Sequence, residues 1–108
     1  MNTMYIIAEM AWSHNGSMEN ALKIIDGAKY AGADAIGIHL TDLPTYMTRS
    51  YKCLAGKTLS TESQDEVNIY DYLEKIHPSE NQYAEICHHA NSLGLDVVAM
   101  CNDDTSFE

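Results

Sequence analysis

Short apolar segments alternate with amphipathic segments along this chain, and that order constrains the fold more than any other feature. The apolar segments cover residues 4–10, 35–40 and 95–100, and each has the length of a buried strand. Between them, apolar residues recur on one helical face in residues 21–28 and again in residues 83–90. Strands that alternate with helices form a parallel sheet with right-handed crossovers. The sequence therefore predicts an α/β fold with the order β-α-β-α-β.

Capping residues mark the ends of the two predicted helices. Ser17 is placed to cap the first helix, and Ser79 with Gln82 has the spacing of a capping box at the start of the second. Gly32 and Gly94 follow the last apolar residue of each helix, where glycine favours termination. These local signals predict the helix boundaries.

The connection after the second strand, at about residues 41–67, is long and has no clear periodicity. A connection of this length inside a compact domain is usually functional or disordered. Asn68 is then predicted to cap a short helix that runs to Lys75. Thr105 and Glu108 have capping-box spacing, so another helix is expected to begin at Thr105. A helix start with no helix behind it, and a sheet with two open edges, lead us to expect that residues 1–108 are a piece of a longer protein.

The charge balance and the cysteines narrow the class of protein. The chain has 6 basic and 16 acidic residues, a formal net charge of −10, which disfavours binding to nucleic acids or acidic membranes. No signal peptide and no apolar stretch of about 18 residues is present, so we expect a soluble, cytoplasmic protein. The three cysteines are widely spaced and are predicted to be reduced thiols.

Three segments together resemble the sialic acid synthase family. Residues 5–17 read YIIAEMAWSHNGS and residues 31–35 read AGADA, where the family pattern is roughly IIAEIGxNHNGS followed by AGADAVKFQT. Residues 67–73, VNIYDYL, are also similar to the family. The resemblance implies a (β/α)8 TIM barrel of which this chain is the incomplete N-terminal portion, with the first three strands.

The resemblance also implies an activity, a cofactor and partners. The family condenses phosphoenolpyruvate with an N-acetylated amino sugar to form a sugar acid, assisted by a divalent metal, Mn or Mg. The resemblance places the metal ligands outside this chain and implies a homo-oligomer. The isolated chain is expected to be inactive.

Glu9 is the first candidate for chemistry, because it ends an otherwise apolar strand. A buried carboxylate is costly unless it meets a partner, so a binding or acid–base role is predicted. The family's glutamate at this position contacts the amino sugar near the reacting centre. The alternative is that Glu9 only accepts backbone hydrogen bonds at the strand end.

Strand alternation places Gly37 and His39 on one face of the second strand, away from the isoleucines that pack on the helices. The resemblance makes both candidate substrate-binding positions, but synthases carry Lys, which helps to hold phosphate, where this chain has Gly37. His39 replaces Gln and is predicted to bind an anion or a sugar hydroxyl. The alternatives are a buried histidine with no function, or a metal site shared with His14, for which a third ligand is lacking.

Two further candidates come from the alignment with the family. Met100 replaces a Thr and shares the inward face with His39, whereas Gln64 matches an Asn that touches the sugar. Tyrosines in or beside the long connection are expected either to stack on a sugar ring or to pack the connection onto the barrel mouth. Because several pocket positions differ together, two alternatives to the synthase remain: a related aldolase or epimerase with another substrate, and a catalytically inactive fragment that acts in assembly.

Overall fold

The computed structural model describes residues 4–54 and 66–108. Its elements follow one another in the order β1 Ile7–Glu9, α1 Met18–Tyr30, β2 Ala35–Leu40, α2 Leu43–Tyr46, β3 Lys52–Leu54, β4 Glu66–Asn68, α3 Ile69–Ile76, α4 Glu80–Ser92, β5 Asp96–Cys101 and α5 Asp104–Phe107. None of the described helices combines the length and the apolar character needed to cross a membrane.

The predicted parallel sheet is present. Strands β1, β2 and β5 lie side by side in that order, and both pairs are parallel. The register pairs Glu9 with Gly37 and His39 with Met100. The α/β prediction is therefore confirmed, and the carboxyl ends of all three strands meet at one edge of the sheet, where α/β proteins place their ligands.

Helices α1 and α4 cover one face of this sheet and form the main core. Fully buried residues of both helices meet the β2 residues Ile36 and Ile38, whose side chains point to the helices as the alternation predicts. Burying an isoleucine side chain contributes roughly 1.5–3 kcal/mol. The core thus fixes which side of β2 faces the helices and leaves the other side of the sheet open.

The connection between β2 and α3 contains structure that its sequence did not predict. Strands β3 and β4 pair antiparallel with each other, and helix α2 precedes them. A second apolar cluster joins α2 to α3 through buried side chains, with Trp12 packed against it: Leu43, Tyr70, Leu73 and Ile76. This part of the connection is therefore anchored beside the carboxyl ends of the strands.

Most of the predicted caps are confirmed. The Ser17 side chain accepts a hydrogen bond from the Asn20 N–H, and Ser79 forms the expected capping box with Gln82. Asn68 caps α3 by accepting from the Asp71 N–H. Gly32 and Gly94 have φ values of +87° and +75°, which glycine adopts without steric cost.

The predicted start of the last helix at Thr105 is wrong. Helix α5 begins at Asp104, and Asp103 is its cap, accepting from the Ser106 N–H at 2.8 Å. Asp103 also accepts from the Asp42 N–H at 2.7 Å, so its position is fixed by a contact with the end of β2. Burial alone would raise the pKa of Asp103, but these hydrogen bonds outweigh it and leave the pKa below its ordinary value.

Candidate active site at the strand ends

Glu9 and His39 lie on the same, open face of the sheet. The Glu9 Oε1 atom accepts a hydrogen bond from the Ala11 N–H at 2.8 Å, and the same oxygen lies 3.5 Å from His39 Nε2. The Glu9 side chain is 47% exposed and that of His39 is 21% exposed. A carboxylate and an imidazole thus meet at the strand ends, within reach of a ligand.

Gly37 provides the space that the Glu9 carboxylate occupies. A Cβ atom added at Gly37 would lie 3.0 Å from Glu9 Cδ and closer still to Oε2. Contacts this short force one group to move, so a side chain at position 37 and the observed position of Glu9 exclude each other. Gly37 lacks a side chain to bind a ligand, and its role in binding stays a prediction.

Polar groups on both sides hold His39. Its Nδ1 atom lies 3.3 Å from Asn102 Nδ2, and its main-chain carbonyl accepts from the Tyr83 hydroxyl at 2.9 Å. The same Asn102 nitrogen donates to Thr41 Oγ1 at 2.7 Å. Burial raises the pKa of Tyr83 to about 12, so this phenol remains a neutral donor at physiological pH.

Met100 extends the open face on the next strand. It pairs with His39 in the register, and its side chain is 54% exposed beside the neighbouring Val98, which is 40% exposed. An apolar surface therefore adjoins the polar pair. That Met100 contacts a substrate stays a prediction, and Gln64 lies outside the described residues.

His14 belongs to the turn between β1 and α1. Its Nδ1 atom accepts from the Gly16 N–H at 3.0 Å, and its side chain is buried against Trp12. Burial lowers the pKa of His14, and the nearby His77 lowers it further. His14 therefore shapes the turn, where Gly16 adopts a φ of +80°.

The described residues do not fit the implied divalent metal on their own. Among residues 4–54 and 66–108, no group of three or more His, Cys, Asp or Glu side chains is placed to hold a metal ion. Glu9 and His39 supply only two donors, whereas a metal site needs more ligands with defined geometry. These residues therefore cannot supply the full ligand set of the implied metal.

A separate cleft lies beside this site, under the connection. It has a volume of about 390 Å³ between the end of β2 and the turn from α3 to α4, and Tyr70 and Arg49 are among its lining residues. The Arg49 guanidinium stands 4.7 Å from the centre of the Tyr70 ring, which is buried. Tyr70 therefore packs the connection onto the domain, whereas Tyr46, Tyr51 and Tyr72 are partly exposed.

The structure adds residues that the sequence did not single out for the site. The side chains of Asn102 and Thr41 contact each other behind His39. His77, in the α3–α4 turn, contacts Thr41 as well: its Nε2 atom lies 2.6 Å from the main-chain carbonyl oxygen of Thr41. Asn102 and Thr41 each directly follow the end of a strand. That position in the sequence was the signal that could have indicated a place in the site. Their pairing depends on the register between β2 and β5, which is a long-range property.

The fold and the site define a segment of a β/α barrel with a carboxylate and an imidazole at its strand ends. No family model matches the chain. It is 32% identical over 108 residues, all of this chain and 28% of the relative, to the N-acetylneuraminate-9-phosphate synthase of Drosophila melanogaster. It is 29% identical over 107 residues to the N,N'-diacetyllegionaminic acid synthase of Legionella pneumophila, covering 98% of this chain and 29% of that protein.

A solved structure agrees with the fold. The crystal structure of an N-acetylneuraminic acid synthetase from Leptospira borgpetersenii matches 98% of this chain and 32% of its own length, with a TM-score of 0.72 and 18% identity. The chain is a homologue of the sialic acid synthases, and it spans less than a third of the length of the relatives it matches.

Proposed function

We propose that the protein carrying this chain condenses phosphoenolpyruvate with an N-acetylated amino sugar to form a sugar acid. The position of Glu9 beside His39 at the carboxyl end of the parallel strands supports this most directly. Homology to synthases that are named for the formation of such sugar acids supports it from the sequence. The activity, its metal, a homo-oligomeric assembly and a cytoplasmic setting are parts of the same proposal.

In this proposal Glu9 and His39 bind the sugar. The Glu9 carboxylate accepts hydrogen bonds, and its Oε2 atom is free of the Ala11 contact that holds Oε1. His39 places a ring nitrogen 3.5 Å from Glu9, so one polar group of a sugar can contact both. A hydrogen bond to a charged group contributes about 1.5–3 kcal/mol, enough to orient the sugar for attack.

The phosphate of phosphoenolpyruvate needs positive charge, and the strands described here do not supply it. Strands β1, β2 and β5 contain neither Lys nor Arg, and Gly37 replaces the Lys that the family uses. In this proposal the phosphate is therefore held by groups outside the sheet described here.

A second candidate function follows from Gly37. Without the phosphate-binding Lys, a barrel with the same sugar-binding pair is suited to an aldolase or epimerase step that does not use phosphoenolpyruvate. The pair of a carboxylate at Glu9 and an imidazole at His39 fits a neutral sugar in either case.

The two candidates differ in a simple assay. With the protein that carries this chain, we expect phosphate release from phosphoenolpyruvate only when an N-acetylated hexosamine and Mn²⁺ or Mg²⁺ are present. Glu9→Gln should lower this rate by about 10–10²-fold, the size expected when a hydrogen bond to a charged group is lost. Glu85→Gln, an exposed change on α4, is the matched control. Unchanged activity in Glu9→Gln would remove Glu9 from the mechanism, and sugar turnover without phosphate release would favour the second candidate.

A further inference from the structure

We propose that Asn102 is a positioning residue that holds His39 as the neutral tautomer with its hydrogen on Nε2. His39 then presents an N–H donor beside the Glu9 carboxylate to an oxygen atom of the ligand. The tautomer assignment stands on geometry alone, whereas its use in sugar recognition rests on the proposed function.

The donor capacity of Asn102 determines the tautomer. Its side-chain nitrogen carries two hydrogens, and two acceptors lie within reach: Thr41 Oγ1 at 2.7 Å and His39 Nδ1 at 3.3 Å. An imidazole nitrogen that accepts a hydrogen bond carries no hydrogen, so in a neutral ring the hydrogen is on Nε2. The Nε2 atom is the one that faces Glu9.

The two residues are held in place by the sheet. Asn102 follows β5 directly, and its N–H donates to the Leu40 carbonyl at 3.0 Å, which continues the parallel ladder past the last strand residue. Thr41, the residue after Leu40, is only 5% exposed. The amide of Asn102 is thus fixed by a main-chain bond and by a buried hydroxyl before it contacts His39.

The tautomer decides what kind of ligand group the site recognises. An N–H on His39 and a carboxylate on Glu9 form an adjacent donor and acceptor on the open face. The matching ligand group accepts and donates at one place, as a sugar hydroxyl does: its oxygen accepts from the His39 N–H, and its hydrogen is donated to the Glu9 carboxylate. With the hydrogen on Nδ1 instead, two acceptors would stand side by side and would disfavour that group.

The first test is spectroscopic and needs no turnover. A two-bond ¹⁵N–¹H correlation spectrum of the ¹⁵N-labelled chain at pH 8 distinguishes the two neutral tautomers of each imidazole. His39→Gln identifies the His39 signals by their loss. We expect the hydrogen on Nε2, and a hydrogen on Nδ1 in the unmodified chain would overturn the proposal.

The second test changes Asn102 without changing its shape. In Asn102→Asp a carboxylate acceptor replaces the amide donor, so the His39 hydrogen should move to Nδ1. Asn20→Asp, an exposed change in the first turn of α1, is the control and should leave the His39 signals unchanged. A His39 spectrum that is the same in Asn102→Asp and in the unmodified chain would also contradict the proposal.

A kinetic measurement separates this inference from the proposed function. If phosphate release is observed, Asn102→Asp should raise KM for the amino sugar about tenfold and leave KM for phosphoenolpyruvate unchanged, the size expected for one hydrogen bond. The Nε2 tautomer without any phosphate release would refute the proposed synthase activity alone. Phosphate release with the Nδ1 tautomer would refute the role of Asn102 alone.

Discussion

Replacing Gly37 with alanine should move the Glu9 carboxylate out of the candidate site while leaving the fold almost unchanged. The new Cβ would lie 3.0 Å from Glu9 Cδ and closer to Oε2, so one group must move. Because the Glu9 side chain is flexible and 47% exposed, we expect the carboxylate to turn into solvent rather than the strand to shift. The contact between Glu9 and His39 is then lost.

The expected change in the free energy of unfolding is small because opposing effects nearly cancel. Glu9 gives up its hydrogen bond from Ala11 and its contact with His39, but water replaces both at an exposed group, so the loss is about 1 kcal/mol. Gly37→Ala also restricts the unfolded chain, which stabilises a protein by roughly 0.4–1 kcal/mol. The net change should stay below about 1 kcal/mol.

Urea unfolding followed by circular dichroism measures the stability, and the phosphate-release assay measures the site. Gly27→Ala is a matched control: a Cβ at Gly27 meets no atom within 4 Å, and alanine in a helix is favoured by roughly 0.5–1 kcal/mol. A structure of Gly37→Ala with the Glu9 carboxylate still over the strand would refute the reasoning. A loss of several kcal/mol would also refute it, because it would show that the strand moves instead of Glu9.

Three further predictions concern stability. Burial lowers the pKa of His14, so the protein should lose stability as pH falls below about 6.5. His14→Asn keeps an acceptor for the Gly16 N–H, and urea unfolding between pH 7 and 5 should show a smaller loss of stability in this variant. Burial raises the pKa of Tyr83 to about 12, so the free energy of unfolding should fall as pH rises from 10 to 12. Tyr83→Phe should reduce this fall, and it should lower the free energy of unfolding at pH 7 by about 1 kcal/mol because the hydrogen bond to His39 is lost. Ser79→Ala should cost about 1 kcal/mol at any of these pH values, and an unchanged midpoint would contradict the cap.

Local signals predicted the helices and strands of the sheet because those elements are specified by short-range chemistry. Ser17 and Ser79 cap helices through side chains that reach only three residues ahead, and such patterns are visible in the sequence. The pairing of β3 with β4 was not predicted, since each strand is three residues long and carries little alternation. The Thr105 cap failed because Asp103, which offers a carboxylate two residues earlier, is also held by the end of β2.

The sidedness of the site was predictable, but its contacts were not. Alternation along a strand has a period of two, so the sequence alone placed Gly37 and His39 on one face. The contact between His39 and Asn102 depends instead on the register of β2 against β5, which pairs His39 with Met100. A register is fixed by the whole core, and no local pattern reports it.

Two departures from the family pattern, Gly37 and His39, lie together in the structure, where both adjoin Glu9. Gly37 gives Glu9 its space, Glu9 contacts His39, and His39 contacts Asn102. Gly37→Lys should therefore break the contact between Glu9 and His39, because its Cβ would displace the Glu9 carboxylate. The space at position 37 and the pair of Glu9 with His39 thus depend on each other, and this one substitution should raise KM for the amino sugar in the phosphate-release assay.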